Sequence, residues 1–86
     1  MKVDFYSSAF CEPCMTTRSV LAEVARLVPG AEIVERDVAR HGDAAVAAGI
    51  RSTPTVIVSN AAGAEVFRAE GAPTLNQVLV ALAKAV

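Results

Sequence analysis

Two cysteines with two residues between them, in Phe10-Cys11-Glu12-Pro13-Cys14, are the part of this sequence best equipped to do chemistry. An apolar strand candidate, Val3 to Tyr6, runs up to them, and a helical pattern starts directly behind. A helix that begins near Cys11 places that sulfur over unsatisfied backbone N–H groups, at the positive end of the helix dipole. Thiolates are favoured there, so Cys11 is expected to ionise below the roughly 8.5 of a free thiol. Pro13 suits a first-turn position, where its missing N–H costs nothing. Cys14, three residues on, returns to the same face within bridging distance. The chemistry implied is a dithiol that opens and closes.

Three other readings compete. A structural disulfide here would close a loop too small to remove much unfolded-chain entropy. A zinc site wants about four ligands, and beyond the cysteines the chain offers only His41 and carboxylates; a metal shared between two chains stays open. Two inert thiols form the third reading, against which the helix-start placement argues. Spacing and context favour redox chemistry.

Positioning such a pair takes a scaffold, and the pattern of the chain supplies one. Residues 2–6 alternate Val3 and Phe5 with Asp4 and Tyr6, as a strand does. Asp4 is either an acid at an edge, in contact with water, or a buried acid beneath the dithiol with a proton-transfer role. Residues 11–28 carry Val20, Leu21, Val24, Leu27 and Val28 at helical spacing, and Pro29-Gly30 stops the helix. Arg18, four residues after Cys14, either adds positive potential near the thiols or is solvated, and the second reading is preferred. Residues 31–37 form a second strand around Ile33 and Val34. Residues 40–48 form a short helix that Gly49 can cap in a left-handed conformation. His41 is assigned no role. Strands at 54–59 and 64–69 flank the turn Asn60-Ala61-Ala62-Gly63. Thr74 caps a last helix with Leu75, Val78, Leu79 and Leu82 on one stripe. The order β-α-β-α-β-β-α predicts an α/β fold: a three-layer α/β/α sandwich around a four-stranded mixed sheet, in a single domain over residues 1–86.

Bulk composition narrows the function classes. The hydrophobic share is 53%, charged residues are 20%, and the net charge is −1, which gives no electrostatic reason to expect nucleic acid or an acidic membrane as partner. No apolar run is long enough to span a bilayer. Lys2 leads directly into a strand that the fold needs, so no signal peptide is read and the expected location is cytoplasmic. A reducing cytosol keeps such thiols reduced between turnovers, which favours a reductant over an oxidant.

With this order in place the chain resembles thioredoxin over nearly its whole length. Val3-Asp4-Phe5-Tyr6 is similar to the family's strand into the active site, and Cys11-Glu12-Pro13-Cys14 to its Cys-Gly-Pro-Cys, differing at Glu12. Gly49-Ile50-Arg51-Ser52-Thr53-Pro54-Thr55 resembles the segment around the family's cis-proline. Gly63 with Glu65-Val66 resembles its hairpin turn and last strand; Gly71-Ala72, followed by Gln77 and Leu82, resembles its final turn and helix. The resemblance implies the thioredoxin fold and a thiol–disulfide oxidoreductase. Cys11 would be the attacking thiolate and Cys14 the resolving thiol. Pro54 would be a cis-proline facing them, with Thr53 backbone groups left to pair with an extended substrate. Asp4 would be the buried acid that assists proton removal from Cys14, and Gly71 would let a partner backbone approach. Phe10, where thioredoxins usually carry tryptophan, would complete the substrate-binding surface.

The resemblance has departures. The leading strand and helix of full-length thioredoxins are absent. The loop from Asp4 to Cys11 is one residue longer, nearer to glutaredoxin-like and small archaeal-type members. Ser19 stands near the place of the proline that kinks the family's first helix. The Gly-Gly-Asp type segment with which glutaredoxins hold glutathione is replaced by Gly71-Ala72-Pro73. The implied protein is a monomer without bound cofactor, its redox group the Cys11–Cys14 disulfide and its couple reducing, at roughly −270 to −200 mV. Its partners would be disulfide-containing proteins, with a flavoenzyme of the thioredoxin-reductase type or a small thiol as electron donor. The alternative is a glutaredoxin-like enzyme coupled to glutathione or another small thiol. Beyond these stand a non-catalytic module that uses the same groove and a dimer that binds a cluster or zinc through Cys11.

Overall fold

Two strands with most of their residues buried need cover on both faces, and in the structure, a computed structural model describing residues 1–86, they lie at the centre of the sheet. These are β1 (Lys2–Ser7) and β3 (Thr55–Ser59), flanked by the more charged β2 (Glu32–Asp37) and β4 (Glu65–Glu70) in the order β2-β1-β3-β4. β1 runs parallel to β2 and antiparallel to β3, and β3 runs antiparallel to β4. A parallel pair needs a crossover, and α1 (Glu12–Leu27) supplies it between β1 and β2. The β3–β4 hairpin turns on Asn60, whose Oδ1 accepts the N–H groups of Ala62 and Ala64, both at 3.0 Å. Glu32, Glu35, Arg36, Glu65, Arg68 and Glu70 put charge along both sheet edges, which discourages further strand pairing.

The two faces of the sheet carry different cores. α1 buries Cys14, Thr17, Leu21 and Val24, spaced by three or four residues, and α3 (Leu75–Lys84) buries Val78, Ala81 and Leu82. Both helices pack with Val3, Phe5, Val56 and Val58 into the larger core. On the opposite face, α2 (Gly42–Ala47) brings Ala45 against Tyr6 and Ile57. The expected element order and the three-layer sandwich are observed. Thr74 caps α3 as expected, in a reciprocal pair with Gln77, and Gly49 is left-handed at φ 71°.

Element ends differ by a residue or two. β1 extends through Ser7, which is paired in register with Asp37, instead of stopping at Tyr6. α2 starts at Gly42 and not at residue 40, because the Asp37 carboxylate and carbonyl hold residues 39–41 in a turn. His41 sits at the N-cap of α2, exposed and with no side-chain capping bond. No helix is long and apolar enough to cross a membrane.

Candidate active site

The first turn of α1 is organised by Cys11. Its backbone is extended (φ −112°, ψ 101°), which makes it the N-cap, and its Sγ accepts the N–H of Cys14 at 3.1 Å. A sulfur therefore occupies the place that a serine or aspartate oxygen takes at most helix starts. Pro13 sits in the first turn, where no N–H is required. Cys11 and Cys14 are joined in a disulfide, with Cα atoms 5.1 Å apart. The two sulfurs are not equivalent. Cys14 is 1% exposed and belongs to the large core, whereas Cys11 is only partly buried.

Beside Cys11 opens a cleft of about 570 Å³, lined by Ser8, Ala9, Phe10, Cys11, Glu12, Met15 and Arg18. Phe10 has a left-handed backbone (φ 55°) and its side chain is fully exposed, an unusual combination for a bulky apolar residue. Met15, also exposed, adds to the apolar wall. Arg18 lines the cleft but does not present a free charge. Its guanidinium donates twice to the Glu35 carboxylate, at 2.9 and 2.6 Å, and lies 5.9 Å from the Phe5 ring centre. The hydrogen bond from Arg18, with a further one from Ser7, holds the Glu35 carboxyl below the usual carboxylate range. The pair largely cancels the positive potential that Arg18 alone would bring to the sulfurs.

The proline loop meets the dithiol loop directly. Thr53–Pro54 is a cis peptide bond, and the hydroxyls of Ser8 and Thr53 lie 2.6 Å apart. Around Thr53 the loop is tied down: Thr55 Oγ1 donates to the Ser52 carbonyl and the Gly71 N–H to the Pro54 carbonyl, both at 2.8 Å. Thr53 itself makes no backbone–backbone hydrogen bond, which leaves its N–H and C=O unpaired within the chain. Gly71 has φ 103°, and open space surrounds the position a Cβ would take. Cys11, Cys14, Phe10, Thr53, Pro54 and Gly71 are thus gathered at one end of the sheet, above the C-terminal end of β1.

Asp4 is not among them, and the expected acid beneath the dithiol is corrected here. Opposed residues in a sheet share a face. Asp4 is opposite Ile57, in the α2-side core, whereas Phe5 is opposite Val56, in the core that holds Cys14. The Asp4 carboxylate instead pairs with Arg36 and, at 3.8 Å, with Lys2. It is neither a free edge acid nor a partner of the dithiol. Asp4→Asn is accordingly expected to leave attack and resolution rates unchanged in rapid-mixing kinetics. Urea titration of the same variant should show a loss of about 1.5 kcal/mol, from a weakened charge-assisted bond to Arg36.

Ser8, just beyond β1, carries no motif in the sequence that marks it as a site residue. The usable signal was the extra residue in the loop before Cys11.

The thioredoxin family model matches residues 1–84. The chain belongs to the thioredoxin family. No curated protein matches it in sequence. Among solved structures it is similar to oxidised mitochondrial thioredoxin 3 of Saccharomyces cerevisiae, with 19% identity, 96% of this chain and 76% of that one covered, and a TM-score of 0.85. It is similar also to thioredoxin 1 of Thermosipho africanus, at 18% identity, 98% and 92% coverage and a TM-score of 0.85. A third is a thioredoxin of Nicotiana alata, at 24% identity, 98% and 71% coverage and a TM-score of 0.87. At these identities the structural likeness establishes the thioredoxin fold, and the family match carries the chemistry. The protein is a thiol–disulfide oxidoreductase whose redox group is the Cys11–Cys14 disulfide. Family membership thereby selects the redox reading over structural, inert and metal-binding cysteines.

Proposed function

We propose that the protein is a thioredoxin-like protein-disulfide reductase that works through a mixed disulfide. The observation that carries this reading is the asymmetry of the pair: an accessible sulfur at the head of α1, with a buried one bonded behind it. In the reduced protein, the Cys11 thiolate attacks one sulfur of a substrate disulfide. The substrate S–S bond breaks, a Cys11–substrate bond forms, and the departing sulfur takes up a proton. Cys14 then gives up its proton and attacks Cys11 Sγ, which releases the second substrate thiol and closes the Cys11–Cys14 bond. Two electrons pass from the dithiol to the substrate, and a separate donor reopens the disulfide.

Binding rests on the free Thr53 backbone, the open space at Gly71 and the apolar wall of Phe10 and Met15. An extended polypeptide satisfies the first of these by strand-like pairing. The donor in this reading is a flavin-dependent reductase, in a reducing compartment such as the cytoplasm. The deciding experiment is insulin-disulfide reduction with either a thioredoxin-reductase-type flavoenzyme or glutathione as the electron source. Turnover with the flavoenzyme supports the proposal. Turnover with glutathione alone assigns the protein to the glutaredoxin-like alternative, and turnover with neither contradicts both.

A further inference from the structure

We propose that Ser8 is a positioning residue for polypeptide substrates, acting through the side chain of Thr53. This rests on the reductase reading above and names a determinant of its substrate class. The hydroxyl pair, 2.6 Å apart, is the only hydrogen bond between the loop that carries Cys11 and the loop that carries Pro54. The bond joins two points with distinct tasks. Ser8 lies three residues before Cys11, in the wall of the same cleft, so its position follows that of the attacking sulfur. Thr53, directly before Pro54, has neither its backbone N–H nor its C=O paired, a state it shares in this loop with Arg51.

Its neighbours are fixed by other bonds: Ser52 through the Thr55 hydroxyl and Pro54 through the Gly71 N–H. The Thr53 side chain is fixed by Ser8 alone. The hydroxyl pair therefore sets the spacing between the place where a substrate backbone is held and the place where its sulfur is attacked. Reaction between bound groups is sensitive to misplacement on the ångström scale. A polypeptide disulfide, held at both places, depends on that spacing. A small aromatic disulfide, with no extended backbone to pair with Thr53, depends on it much less.

The test compares kcat/KM for insulin and for 5,5′-dithiobis(2-nitrobenzoate) in the wild type, Ser8→Ala, Ser8→Thr, Thr53→Val and the Ser8→Ala/Thr53→Val double variant. Loss of one hydrogen bond should lower the insulin-to-small-disulfide ratio of Ser8→Ala by about three- to ten-fold, mainly through KM for insulin. Ser8→Thr should restore the ratio, and the double variant should be no worse than Thr53→Val, because the two residues act as one unit. An unchanged ratio in Ser8→Ala, equal losses on both substrates, or additive losses in the double variant would overturn the role of Ser8. A wild-type protein that reduces neither disulfide would instead bring down the reductase reading, and this inference with it.

Discussion

Cys14→Ser is expected to turn the catalyst into a trap. Attack needs only Cys11, which is accessible at the N-cap of α1, so the variant should still open a substrate disulfide. Release needs a second nucleophile bonded to or beside Cys11, and Cys14 is the only other cysteine of the chain. With a hydroxyl in its place, resolution stops and a covalent complex accumulates, visible on a non-reducing gel and dissolved by excess dithiothreitol. Cys11→Ser should abolish turnover altogether and form no such complex, because the remaining thiol is 1% exposed within the core. Wild-type turnover by Cys14→Ser, with no small thiol added, would sink the two-cysteine cycle.

The second large effect is on stability, at Phe5. This side chain is 1% exposed on a central strand, between Val56 and Glu35 in register, and it shares its core with Cys14. Phe5→Ala removes most of a ring from close packing and is expected to cost about 3–5 kcal/mol. A domain of this kind has a total stability on the order of 5–15 kcal/mol. The urea midpoint should therefore fall by about a fifth or more. Phe10→Ala is the natural control, since its ring touches solvent and its loss should stay within about 0.5 kcal/mol. A Phe5→Ala loss under about 1 kcal/mol would mean that the ring is not buried as described.

Phe5 and Asp4 are neighbours on one strand, yet the local sequence encodes the place of the first better than that of the second. Alternation along Val3-Asp4-Phe5-Tyr6 marks a strand with two distinct faces, and the observed strand has them. The same alternation does not say which face α1 will cover. That depends on how the loop from Ser8 to Phe10 delivers the chain into the helix, and a loop one residue longer changes the aim. Asp4 consequently lies on the α2 side, where Arg36 of the neighbouring strand partners it. Helix α1, the Thr74 cap and the hairpin at Gly63 were legible because each is encoded within a few consecutive residues.

The cysteine pair was legible for the same reason, its spacing and its helix start being local. Pro54 was reached through the family resemblance, and the cis bond is observed. The tie between Ser8 and Thr53 spans 45 residues and involves two small polar side chains with no periodicity around them. The Arg18–Glu35 pair likewise joins a helix to a strand seventeen residues away. Such long-range polar contacts appear only when the sheet register is known.

The start of α1 is expected to make Cys11, and not Cys14, the reactive thiolate. The direct measurement is the pH dependence of alkylation of the reduced protein, read cysteine by cysteine by mass spectrometry after a short pulse of iodoacetamide. Cys11 should be labelled first, with a midpoint clearly below the roughly 8.5 of a free thiol, while Cys14 lags at every pH. Labelling of Cys14 as fast as Cys11, or a Cys11 midpoint at or above that of a free thiol, would contradict it.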